Sequence, residues 1–288
     1  MKKTIITRLL AIGCVLLAAL LATADFLAAA EAGGGVVIPN FWDPKRRVER
    51  PAAGAVTAIR FITTDDYPPF NFLGPDGQLT GFNVDLARAI CTELAVACTI
   101  QARPWSDLVN ALKNGSADAA IAGIAISEAS LKELDFSDPY LRSPARFVVR
   151  RSGPALAFTP AGLTGRTVAV AGGTAHQAYL ARFFPGAVVR PYANADAARA
   201  ALKAGEVDAL FGDGVQSSFW LQSEAAADCC AFAGGPYLEE RYFGEGMAVA
   251  VVRGATDLKR AVNTALESLH DKGVYAELYL RYFPIGFY

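Results

Sequence analysis

Residues 111–118 read A-L-K-N-G-S-A-D and residues 201–208 read A-L-K-A-G-E-V-D, so one pattern of helix end, turn and strand start occurs twice. In each copy a Leu-bearing helix stops at a glycine, Gly115 or Gly205, suited to the left-handed position that closes a helix. A buried apolar strand follows, over 119–123 in the first copy and 209–213 in the second. L-K-x-G-x-x-D is also a common way to leave a helix and enter a strand; taken as a repeat, it gives two similar α/β lobes. In open α/β sheets ligands gather beyond the carboxyl ends of the strands. Gly123 and Asp213 should therefore face one cleft from opposite lobes, as in a clamp.

Outward from the first copy, residues 58–63 form a β-branched and aromatic strand that runs into Asp65, Asp66, Tyr67, Pro68 and Pro69, where two prolines forbid further regular pairing. After a turn at 74–77, Ala87, Ile90, Cys91 and Leu94 recur at helical spacing and predict an amphipathic helix over 85–94. Pro104, Trp105 and Ser106 open another helix through Leu112, with Ser106 as N-cap. Around the second copy, 165–170 is a short buried strand, Gly172-Gly173-Thr174 a tight turn and 175–184 a helix, so a second α/β unit begins near residue 150. Near the end, periodicity predicts a long helix over 258–269 and a short one over 275–282, both packing on the first lobe.

Lys2, Lys3 and Arg8 precede an apolar run over 9–21, and small residues follow to an A-x-A site at 30–32. Residues 1–32 therefore read as a secretory signal peptide; the apolar run is short of the roughly 20 residues that span a bilayer. Residues 33–56, with consecutive glycines, three prolines and the basic Lys45-Arg46-Arg47, read as a tether or a partly ordered extension. The chain has 288 residues and a formal net charge of -1, enough for two modest domains and without the basic excess that nucleic acid would call for. Removing Cys14 with the signal leaves Cys91, Cys98, Cys229 and Cys230, an even number in an exported chain. Cys91 and Cys98 are about two helical turns apart, too far to bridge in a continuous helix, so pairing requires the chain to turn back after Leu94. The redox state of the adjacent Cys229 and Cys230 stays open.

Nothing in the sequence assembles a catalyst or a metal site. The two histidines, His176 and His270, lie in different segments, and no G-x-S-x-G, H-E-x-x-H or P-loop pattern occurs. Aromatic and acidic groups are better placed: Tyr67 and Phe70 flank the double proline, Trp105 begins a helix and Asp213 ends a strand. Rings with one desolvated carboxylate suit an amine, through the negative ring faces and a charge-assisted hydrogen bond to ammonium. The turn ending at Thr174, with His176 in the first turn of the next helix, offers free N–H groups to an anion.

Residues 67–72 (Y-P-P-F-N-F), 81–90 (G-F-N-V-D-L-A-R-A-I), 112–119 (L-K-N-G-S-A-D-A), 135–140 (D-F-S-D-P-Y) and 242–246 (Y-F-G-E-G), in this order, resemble the family 3 periplasmic solute-binding proteins that feed polar amino acids to ABC importers. The likeness covers roughly 58–285 and is strongest to the lysine/arginine/ornithine and histidine binders, which carry a Cys pair resembling Cys91 and Cys98. It implies an α/β periplasmic binding protein fold: lobe one from 57–145 and 240–288, lobe two from 146–239, and two crossing strands near 142–146 and 241–247. It further implies a monomer in the periplasm, working without a cofactor and partnered by an inner-membrane ABC permease.

Carried over one residue at a time, Tyr67 and Trp105 match the rings that sandwich the ligand side chain and Asp213 the carboxylate that holds its α-ammonium. Thr174 lies in the turn that helps hold the α-carboxylate, and Asp66 and Gly123 fall among the cleft positions. The departures matter: the family arginine that pairs with the α-carboxylate falls on Ser130, and a neighbouring Ser or Thr falls on Ala125. Neutral hydroxyls cannot replace a bidentate guanidinium. Three resolutions are open: Arg103, Arg142 or Arg146 reaches the cleft, the helix start after Thr174 suffices, or the ligand has no carboxylate. Besides import, two other roles stay in play: an accessory or sensory protein docking to an exported dehydrogenase or receptor, and a cyclohexadienyl dehydratase-like enzyme using His176 or Asp66 as its acid/base group.

Overall fold

Both repeat glycines take the backbone their position demands, Gly115 at φ 71° and Gly205 at φ 83°, and each is followed by a strand at the centre of a sheet. The computed structural model describes residues 36–41, 49–52, 54–283 and 285–288. The signal peptide, Cys14 and the basic run at 45–47 lie outside the described residues.

The chain opens with β1 (Ala58–Thr63), then β2 (Asp66–Tyr67), β3 (Asn71–Leu73) and β4 (Leu79–Thr80), the last three forming a small antiparallel sheet. Next come α1 (Phe82–Leu94), β5 (Ala97–Ala102), a 3-10 turn (Trp105–Asp107), α2 (Leu108–Lys113), β6 (Ala119–Ala120), a second 3-10 turn (Ser130–Lys132) and β7 (Leu134–Phe136). A second series follows: β8 (Ala145–Arg150), β9 (Thr167–Ala171), α3 (Ala175–Phe183), β10 (Val188–Tyr192), α4 (Ala195–Ala204), β11 (Ala209–Asp213), α5 (Gly214–Gln222) and β12 (Cys230–Tyr237). The chain ends with α6 (Glu240–Phe243), β13 (Ala250–Val252), α7 (Thr256–Asp271) and α8 (Val274–Tyr282).

Two five-stranded sheets result, in the orders β5-β1-β6-β13-β7 and β10-β9-β11-β8-β12. Each has three parallel strands and then an antiparallel one, β13 in the first and β8 in the second. The repeat is thus a repeat of whole sheets. The chain passes from one sheet to the other and back, and the two passages pair where Leu141 bridges Met247. Ser137 locks this region by donating its backbone N–H to the Val249 carbonyl while its Oγ accepts from the Val249 N–H. Helices α7 and α8 pack on α1 of the first sheet, as their periodicity predicts.

Differences from the sequence reading are local and have physical causes. Helix α1 begins at Phe82 rather than 85, because Asp85 N–H bonds back to the Gly81 carbonyl and the polar Asn83 is buried. Ser106 is no N-cap: the chain enters a 3-10 turn directly after Pro104, and the Ser106 hydroxyl donates to Asp107 Oδ1 at 3.1 Å. The first-copy strand is laddered only over Ala119–Ala120 instead of 119–123, since Gly123 at φ 73° turns the chain away. Helix α1 ends at Ala95 in the left-handed conformation, which brings Cys98 back to Cys91 with Cα atoms 6.1 Å apart in a disulfide. Cys229 and Cys230 are also joined, as adjacent residues. Within the extension, Phe41 packs on the Tyr288 ring at 5.8 Å and under the Arg142 guanidinium at 5.7 Å.

Candidate functional site

In the first lobe the 64–72 loop is held from beneath by a buried polar chain. Tyr140 Oη donates to Asn83 Oδ1 at 2.8 Å, Asn83 Nδ2 donates to Asn71 Oδ1 at 2.9 Å, and Asn71 Nδ2 donates to Thr64 Oγ1 at 2.8 Å. Burial pushes the Tyr140 phenol far above its ordinary range, so it stays a donor. This explains why the motifs at 67–72, 81–90 and 135–140 belong together: each contributes one member. The loop so fixed presents Tyr67, stacked on Phe70 at 4.9 Å. Asp66, Tyr67, Trp105 and Gly123 line one hollow of 310 Å³ beyond the ends of β1 and β6. Trp105 is 55% exposed there and Tyr67 39%. Both rings are open to solvent.

In the second lobe Thr174 caps α3: its Oγ1 accepts from the Gln177 N–H at 3.4 Å and donates to the Ala171 carbonyl at 2.7 Å. His176 lies between the Phe211 and Phe243 rings, and burial holds its imidazole below its ordinary range while the Asp213 charge opposes that shift. Asp213 caps α5, accepting from the Gln216 N–H at 2.8 Å, and its other oxygen accepts from Ser143 Oγ at 2.6 Å. A carboxylate has about four lone-pair sites, so two bonds leave it able to take a ligand. Thr174, His176, Asp213 and Arg199 line one pocket of 150 Å³.

A larger cavity of 590 Å³ joins the lobes. Tyr67 and Phe70 line it from the first, Asp213, Arg199, Phe219 and Trp220 from the second, and Ser143 and Met247 from beside the passages between them. Tyr67 and Asp213 therefore meet in one space. They also feel each other: burial first, and then the Asp213 charge, push the Tyr67 phenol up.

Other candidates lie elsewhere. Ala125 and Ser130 line none of these three cavities; Ser130 Oγ donates to the Ala125 carbonyl at 2.8 Å and accepts from the Ser127 N–H at 3.0 Å, closing its own loop. Nor do Arg103, Arg142 and Arg146 line them. Arg142 pairs with Glu240 at 3.0 Å. Arg146 donates to the Gly234 carbonyl at 2.8 Å and lies over the Phe232 ring. Sequence reasoning missed Arg199 and Ser143. The signal for Arg199 was its helical spacing behind Ala195 at the start of α4, beyond the end of a parallel strand. Among the described residues, no group of three His, Cys, Asp or Glu side chains could hold a metal ion.

Two α/β sheets, exchanged strands and a ring-and-carboxylate cavity between them define a cleft-binding protein of the periplasmic binding protein fold. The sequence model for bacterial extracellular solute-binding proteins, family 3, matches residues 59–285, and the chain belongs to that family. It is 34% identical to the putative ABC transporter arginine-binding protein 2 of Escherichia coli K12 over 81% of this chain and 93% of that one. It is 33% identical to the L-arginine-binding protein of Pseudomonas aeruginosa, over 83% and 92%. Among solved structures it is similar to an ancestral cationic amino acid solute-binding protein, at 28% identity and a TM-score of 0.62, over 78% of this chain and 95% of that one.

Proposed function

We propose that this chain is the periplasmic solute-binding component of an ABC importer and that its solute is a cationic amino acid or a closely related amine. The observation that carries the reading is the shared cavity of Tyr67 and Asp213: a carboxylate at a strand end in one lobe faces a ring on the other. Asp213 takes the ligand's α-ammonium, and Tyr67 and Trp105 flank its side chain with the negative faces of their rings. Asp66, in the hollow that Trp105 and Tyr67 line, adds a carboxylate for a cationic side-chain end. The relatives named as arginine binders support the same class.

The two lobes, 57–145 with 240–288 and 146–239, close on the solute by bending at the passages near Leu141 and Met247. The closed surface is then presented to an inner-membrane permease by a monomer. The work is binding and release, without chemistry on the solute. Isothermal titration against L-arginine, L-lysine, L-histidine, agmatine, L-glutamate and glucose tests it. Heat and saturation are expected for cationic members alone; binding only of glutamate or glucose would overturn the reading.

A further inference from the structure

Position 130, on which the resemblance places an arginine for the ligand's α-carboxylate, is a serine turned into its own loop. In an α-amino acid the ammonium and carboxylate sit on one carbon. If Asp213 holds the first, the partner of the second must lie in the same space. Arg199 meets that condition: it lines both the 590 Å³ cavity and the 150 Å³ pocket that Asp213 lines.

The side chain is also prepared for the task. It is only 14% exposed. One terminal nitrogen donates to Asp196 Oδ1 at 2.8 Å, and the guanidinium carbon sits 5.9 Å from the centre of the Trp220 ring. Nε is buried and donates to nothing among the described residues. A guanidinium has five donors in a rigid fork, so one bond to Asp196 fixes the plane and leaves capacity for a carboxylate. Asp196 also lines the 590 Å³ cavity, but its side chain is 87% exposed, so water screens its charge more than that of the 14% exposed guanidinium.

We propose that Arg199, from the second lobe, holds the carboxylate of the bound amino acid in place of the guanidinium missing from position 130. This rests on the cationic amino acid reading above. It has a structural consequence: both α-groups of the ligand are gripped by the second lobe, through Asp213 and Arg199, while the first lobe supplies rings and Asp66 for the side chain. Arg199 is then a specificity residue, separating an amino acid from the amine it yields on decarboxylation.

Matched pairs test it: L-arginine with agmatine, and L-lysine with cadaverine, titrated into wild type, Arg199→Gln and Arg199→Lys. Wild type is expected to prefer the amino acid within a pair. Losing a hydrogen-bonded charge partner, Arg199→Gln should bind the amino acid about 10- to 100-fold more weakly while holding the decarboxylated amine within about threefold. Arg199→Lys, which keeps the charge without the fork, should fall between. Retained amine binding shows that the variant is folded. Equal weakening of both pair members, or no weakening, overturns the assignment of Arg199 and leaves the cationic reading standing. Wild type preferring the amine in both pairs does the same. Wild type binding none of the four overturns the cationic reading and the Arg199 assignment together.

Discussion

Replacing Asp213 by asparagine separates its two structural duties from its charge. The carboxylate caps α5 through the Gln216 N–H and accepts from Ser143 Oγ. Asparagine caps about as well as aspartate, and its amide can donate to the Ser143 hydroxyl, which turns from donor to acceptor. Asp213→Asn should therefore unfold within about 1 kcal/mol of wild type, whereas Asp213→Ala loses a cap worth about 0.5–2 kcal/mol. Binding should behave differently. Both variants leave a ligand ammonium in the cleft without its charge partner, at about 3–5 kcal/mol, or roughly 100- to 4,000-fold in Kd. Urea denaturation gives the first quantity and calorimetry with L-arginine the second. An Asp213→Asn protein that binds L-arginine within about threefold of wild type would refute the role given to the charge.

Other perturbations probe the scaffold. Cys91→Ser opens a short loop closed by the Cys91–Cys98 disulfide and should lower unfolding free energy by roughly 2.5 kcal/mol on a loop-entropy estimate, read by urea titration without reductant. Asn83→Ala strands the Tyr140 hydroxyl and the Asn71 carboxamide oxygen; it should destabilise by about 1–3 kcal/mol per group and weaken ligand binding through the loosened 64–72 loop. Gly205→Ala forces a left-handed alanine and should cost about 1–2 kcal/mol, measured as a shift in the urea midpoint. His176 is held below its ordinary value of 6.5 by burial, so the unfolded chain takes up the proton first as pH falls. Its contribution is complete above that value and is lost as pH drops from there through the folded pKa, so His176→Gln should gain stability relative to wild type at about pH 5.5 compared with about pH 7.5.

The parts of the fold that depend on neighbours in sequence were legible from it. Strands β1 and β11 run over the residues expected, because a β-branched and aromatic run over 58–63 and an apolar run closed by Asp213 carry their own boundaries; the short pairing of Asp66 and Tyr67 just before the double proline was not expected. The turn-back at Ala95 that lets Cys91 meet Cys98 was likewise required by their spacing. What sequence could not show was lateral placement. Arg199 enters the site because its face of α4 meets Trp220 and the pocket of Asp213; its helical spacing places it on that face but does not say which neighbours the face meets. Ser143 is another case: only the antiparallel pairing of β8 with β11 brings it to Asp213. Conversely, Arg142 and Arg146 were close in sequence to the crossing yet point at Glu240 and Gly234.

A crystal structure of the protein grown with L-arginine tests the central claim most directly. The expected result is ligand density between the lobes, with its α-nitrogen within about 3 Å of an Asp213 carboxylate oxygen and its side chain against Tyr67. Arginine bound with no nitrogen near Asp213, or density at another face while the cleft stays empty of it, would contradict the claim.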